Sequence, residues 1–114
     1  MQNKVWALPE VIDELENLID ILFEKEYFGF EEAAVNYVVE LFEEIINYLP
    51  YRLRKPAPKF FTDRYGKGLL YSIFSKSKRT KWYVFFRIYR KDGDTYYQVR
   101  YIGNNYTCAQ HFFS

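Results

Sequence analysis

From Pro9 the chain sets apolar side chains at intervals of three and four: Val11, Ile12, Leu15, Leu18, Ile19 and Leu22, with Asp13, Glu14, Glu16, Glu24 and Glu26 mostly between them. That spacing is the stripe of an amphipathic helix, and Pro9 suits its first turn, where a missing N–H costs nothing. The helix is expected to end near Tyr27, with Gly29 as the breaker. A second stripe follows, made of Ala34, Val35, Val38, Leu41, Phe42, Ile45 and Leu49. Glu31 and Glu32 open it where the helix dipole favours acids, and Pro50 closes it. Two helices joined by so short a turn predict an antiparallel hairpin over residues 9–49.

Beyond a connector at residues 50–68 the period changes to two. Pro56 and Pro58 argue against a regular helix in the connector, and Gly66-Lys67-Gly68 marks a turn. Strands are predicted at 69–75, 82–90 and 95–102, with a charged loop from Lys76 to Lys81. Asp92-Gly93 makes the tight turn between the last two, Gly93 supplying the positive φ. Alternation puts Val84, Phe86 and Ile88 on one face with Tyr97, Val99 and Tyr101. Tyr83, Phe85, Arg87 and Tyr89 then share the other face with Tyr96, Gln98 and Arg100. Gly103-Asn104-Asn105 reads as a further turn leading to a short tail. Lys4 to Leu8 is either an edge strand or a lead-in. The expected fold is a single α+β domain, its helical hairpin packed on one face of a small antiparallel β-sheet whose meander spans 69–113. The second face of that sheet is expected to be open.

Charge sharpens this picture. The net charge is only +1, yet residues 1–50 hold two lysines against twelve acids, while residues 51–114 hold fourteen Lys and Arg against three acids. Such asymmetry points to an anionic partner for the basic half, unless the two halves neutralise each other across the fold. Cys108 is the lone cysteine, which excludes an internal disulfide and fits a reducing compartment. No apolar run reaches the ~20 residues of a membrane span, and MQNKVWALPEVIDEL has no signal-peptide core, so a cytoplasmic protein without a membrane partner is expected.

The chemistry narrows by elimination. One His and one Cys, at 111 and 108, do not make a zinc site, so neither metal nor cofactor is expected. Cys108 in an aromatic tail reads as packing rather than as a nucleophile. What remains is basic and aromatic. Arg87, Arg100 and Lys81 could neutralise phosphates, and Tyr83, Tyr89, Tyr96 and Trp82 could stack bases. Arg90, Gln98 and Asn105 are further candidate RNA contacts. A metal-independent ribonuclease needs little more than cations for the pentacoordinate phosphate and a group to move protons. His111 is the one side chain whose ordinary titration falls near neutrality.

The order of these pieces resembles a known family. A helical hairpin closed by Leu49-Pro50, then the aromatic strand pair WYVFFRIYRKDGDTYYQVRYIGNN, then His111 near the end, is similar to the RelE/ParE superfamily of type II toxin–antitoxin toxins, the bacterial plasmid-stabilisation type. The likeness spans about Lys4 to Phe113 and rests on order and spacing. It implies a cognate antitoxin protein that wraps the toxin. It also implies one of two targets: mRNA cleaved on the ribosome without metal, or DNA gyrase inhibited without chemistry. A non-toxic protein-binding module is a third reading. Under the nuclease reading His111 matches the family's C-terminal proton-transfer residue, and Arg87 and Arg100 are the phosphate-binding pair. Tyr83 stands where such nucleases often carry an arginine, and Asn104-Asn105 where they often carry a basic residue.

Overall fold

The computed structural model describes residues 2–24 and 31–112. Leu8 starts the first helix by accepting from the N–H groups of Val11 and Ile12, and α1 (Pro9–Glu24) follows on its apolar stripe. The second helix, α2 (Glu31–Tyr48), runs into a single 3₁₀ turn at Leu49–Tyr51, where Pro50 stops it. The expected helix end at Tyr27, the break at Gly29 and the last tail residues lie outside the described residues.

Five strands form one sheet: β1 (Asn3–Ala7), β2 (Lys55–Pro56), β3 (Leu70–Ser75), β4 (Lys81–Lys91) and β5 (Asp94–Asn104), in the spatial order β1-β5-β4-β3-β2. The chain is therefore α+β, with a mixed rather than wholly antiparallel sheet. Of the stretch Lys4 to Leu8, Lys4 to Ala7 prove to be strand, and β1 pairs parallel to β5. The long helical crossover after β1 permits that direction, which a short turn would forbid. Asp94 fastens the pair by accepting from the Gln2 N–H at 3.0 Å and pairing with Lys4 at 3.4 Å. At the hairpin between β4 and β5, Asp92 and Gly93 have φ of 53° and 82°, the left-handed pair that a two-residue turn requires.

One face of the sheet lies under α1 and α2. Val11 and Leu15 of α1 and Val38, Leu41 and Ile45 of α2 share a core with Phe74, Trp82, Val84, Phe86, Tyr97, Val99 and Ile102. Trp82 belongs here rather than on a base-stacking surface, its indole N–H donating to the Tyr37 hydroxyl at 2.9 Å.

The other face is not open. A short helix, α3 (Lys59–Tyr65), crosses it, and the tail folds over it as α4 (Asn105–Cys108) and a 3₁₀ turn at Ala109–His111. Phe61, Leu69, Phe85 and Cys108 are buried there, walled by Phe60, Tyr65, Tyr71, Tyr83, Tyr101 and Phe112. Two expectations are corrected. Pro58 does not prevent a helix: it sits at the N-cap, where its carbonyl accepts from Phe61 and Thr62 and no N–H is needed. Nor does Asn104 make a turn, since it ends β5 and caps α4 by accepting from the Thr107 N–H.

A β-bulge completes the arrangement. Phe85 pairs with Tyr101 and Phe86 with Val99, which leaves Arg100 as an extra residue in β5. After the bulge the alternation shifts, so Tyr101 joins the second core instead of lying beneath the helices with Tyr97 and Val99.

Phe61 is stacked on Phe85 and touches Tyr101, His111 and Phe112. Phe61→Ala should therefore lower the unfolding free energy by about 3–5 kcal/mol, and Phe112→Ala by less, because Phe112 is only half-buried. Urea unfolding compares them; negligible losses in both would mean that α3 and the tail merely rest on the sheet.

Candidate nucleic-acid interface

Two basic residues of the strand pair, Arg87 and Arg100, lie near the C-terminal end of α3 and the turn that follows it. The bulge turns Arg100 toward that end, and all three of its side-chain nitrogens are engaged. Nε donates to Gln98 Oε1 at 2.9 Å, one terminal nitrogen to the Tyr65 carbonyl at 2.6 Å, and the other to the Tyr89 hydroxyl. Gly66 permits this approach: its φ is +112°, and a Cβ there would stand 2.6 Å from the arginine nitrogen. Three of the five guanidinium N–H groups are thus committed and two remain.

Arg87 behaves differently. Its guanidinium lies 5.4 Å from the centre of the Tyr89 ring and 3.4 Å from where a Gly68 Cβ would be. It makes no hydrogen bond or ion pair among the described residues. Two guanidinium groups thus flank one tyrosine beside the Gly66-Lys67-Gly68 turn, one braced by the fold and one available. That pair can hold an anion the size of a phosphate.

His111 sits elsewhere on the same face. Its imidazole is stacked on Phe60, with ring centres 3.4 Å apart and planes 5° from parallel, and it meets the edge of Phe61. The Arg64 guanidinium lies 3.7 Å from the centre of the same Phe60 ring. Two groups that close to one ring cannot share a side, so Phe60 is held between the histidine and the arginine. Neither nitrogen of His111 is hydrogen-bonded among the described residues. Phe60 precedes Tyr65 by about 7.5 Å of helix at ~1.5 Å per residue, so α3 separates His111 from the arginine pair. No hydrogen bond, ion pair or ring contact joins them among the described residues.

The remaining candidates are scattered. Tyr83 packs against Tyr71 and Phe112, and burial raises its phenol above the ordinary value. Tyr96 lies under Lys4, 5.4 Å from the ammonium. Lys81 is exposed at the start of β4. The side chain of Asn105 is occupied structurally, accepting from the Lys81 N–H at 2.9 Å and donating to the Arg79 carbonyl at 3.2 Å. Arg90 follows the parity of Val84, Phe86 and Ile88, which puts it on the face opposite Arg87. Phe60 and Arg64 escaped sequence reading, although their i, i+4 spacing in KFFTDRY is the signal that stacks them.

Charge does not cancel between the two halves. Among the described residues, Glu44 is the one helical acid paired with the basic half, to Arg52 at 2.9 Å and Lys76 at 3.9 Å. No three His, Cys, Asp or Glu side chains come together to hold a metal among these residues. No helix among them is long and apolar enough to cross a membrane. Compared with protein-family models, curated proteins and solved structures, the chain has no significant match.

Burial, aided by the nearby Cys108 charge, pushes the Tyr101 phenol up to about 12, and burial raises the Cys108 thiol above its ordinary 9.0. Both groups are held protonated by the fold, so the unfolded chain loses these protons first. Stability is therefore full below the ordinary thiol value and falls as pH climbs through 9.0 toward about 12. Melting temperatures across that range should decline, and Tyr101→Phe should flatten the upper part of the decline. An unchanged slope in that variant would remove Tyr101 as the cause.

Proposed function

We propose that the chain is a toxin of the RelE/ParE type that acts on RNA in the cytoplasm and is neutralised by a cognate antitoxin protein. The observation that carries this reading is Arg87, an unpaired guanidinium fixed between Gly68 and Tyr89 on the basic face. Support also comes from the element order, in which a strand and two helices precede the basic strand pair and the helices cover one side of the sheet. In this reading α1 and α2 are the family's antiparallel hairpin.

The reaction needs no metal. Arg87 and the two uncommitted N–H groups of Arg100 bind the phosphate and stabilise charge on its equatorial oxygens. A ribose 2′-hydroxyl attacks the neighbouring phosphorus as its proton passes to solvent water, the bond to the 5′-oxygen breaks to leave a 2′,3′-cyclic phosphate, and His111 supplies the proton that the leaving oxygen takes. Lys81, Tyr83, Gln98, Arg90 and Asn105 are peripheral in this scheme, because packing, strand parity or local hydrogen bonds already account for most of them.

A second reading is favoured by the separation of His111 from Arg87 and Arg100. A basic surface without an assembled proton donor suits an inhibitor that binds a protein target such as gyrase, or a non-toxic binding module.

Expression of the chain alone, with transcript ends mapped, distinguishes these. The nuclease reading expects growth arrest with new mRNA ends, both abolished by Arg87→Ala and by His111→Ala. Arrest with intact transcripts and DNA damage supports the inhibitor, and unimpeded growth removes toxicity altogether.

A further inference from the structure

The sheet has one edge that the fold leaves unfinished. β2 is two residues long and covers β3 only at Leu70 and Tyr71. The Ala57 N–H donates to the Leu69 carbonyl, so Leu69 and Tyr71 turn their backbone groups toward β2. Pro56 falls at the intervening position, where no N–H is required. By the same parity Ile73 and Ser75 turn their N–H and C=O groups to that edge, past the end of β2. No hydrogen bond reaches them from residues 51–54.

Instead of pairing, that segment stands away from β3. Between them lies a groove of about 440 Å³, lined by Tyr51, Arg52, Leu53, Lys55, Tyr71, Ser72 and Ile73. Its apolar rim is unusually bare, Leu53 being 92% and Tyr51 76% exposed. Ser72 is only 1% exposed, yet its hydroxyl has no hydrogen-bond partner among the described residues. A buried hydroxyl without a partner is unfavourable, and it marks this stretch of β3 as incompletely satisfied.

We propose that this groove is a strand-docking site for an extended segment of a partner protein, one that alternates acidic and apolar side chains. The incoming backbone pairs with Ile73 and Ser75 and continues the sheet beyond β2. Its apolar side chains cover Leu53, Tyr51 and Ile73. Acidic side chains are favoured because Arg54 and Lys55 are exposed and in no ion pair among the described residues, and Lys78 and Arg79 lie just past β3. A second copy of the chain is disfavoured at this edge, since it would bring the same cations face to face. The site lies away from the Arg87 pair and does not depend on the toxin reading.

The test uses the full chain and a short fluorescent peptide alternating glutamate and valine, followed by polarisation and by amide hydrogen exchange. Binding is expected to protect the Ile73 and Ser75 amides and to weaken with salt. A lysine–valine peptide, and the double variant Arg54→Glu/Lys55→Glu, should each bind at least about tenfold more weakly. Ile73→Pro removes one edge N–H, and Leu53→Asp leaves the backbone intact should the proline variant fail to fold; both should lose binding. Absence of binding, protection that ignores the peptide's charge, or concentration-dependent dimers that protect the same amides without peptide would each overturn the proposal.

Discussion

Val84, Phe85 and Phe86 are consecutive in β4, and none of the three has any solvent exposure. Side chains alternate across a strand, so a run buried throughout forces both faces of the sheet to be covered. The two helices can cover only one. The rest of the chain meets the second demand with α3 on one side of Phe85 and the folded tail on the other. That explains why so many aromatic side chains are used in a small domain. A seven-residue helix and a short tail bury enough area only if their contacts are large rings.

The bulge at Arg100 is the second consequence. An unbroken alternation would direct Tyr101 under α1 and α2, and the second core would lose a ring that stacks on Tyr65 at 4.9 Å. One extra residue restores it and aims Arg100 at the Tyr65 carbonyl, one of the acceptors that the end of α3 leaves free. A cation there also complements the helix dipole. Arg100 is thus first a clamp on α3. Arg87, two strand positions from Phe85 and facing the same way, has no comparable task, and this difference separates the available cation from the committed one.

Much of this was legible in the residues and some was not. The stripes of α1 and α2, the Asp92-Gly93 turn and the burial of Val84 and Phe86 follow from local periodicity, which survives folding because each element repeats it several times. α3 was hidden because Pro56 and Pro58 read as breakers, and its one buried side chain, Phe61, gives no period to detect. The bulge leaves no local mark, since its cause is the fit of Phe85 and Tyr101 to α3 across the fold. The Tyr83 face is covered for the same kind of reason: the run of Val84, Phe85 and Phe86 implies two buried faces, whereas alternation alone suggests one. His111 could be found as a titratable group, but its place on Phe60 depends on where α3 lies.

The division of charge bears on function more directly than any single residue. Buried ion pairs between the halves would have spent the basic potential internally. Among the described residues Glu44 is the sole acid of α1 and α2 to reach a cation of the second half, and it does so at the exposed end of α2. Burial raises the Tyr65 and Tyr101 phenols, and Glu14 of α1 lies close enough to raise them further, but it forms no ion pair with a cation of the second half among the described residues. The charge thus stays divided between the two halves of the chain, and the field of the second half favours the approach of anions over cations. Under the two proposals, phosphates would meet Arg87, whose guanidinium is unpaired among the described residues, and carboxylates would meet the edge of β3, where β2 is too short to cover two backbone positions.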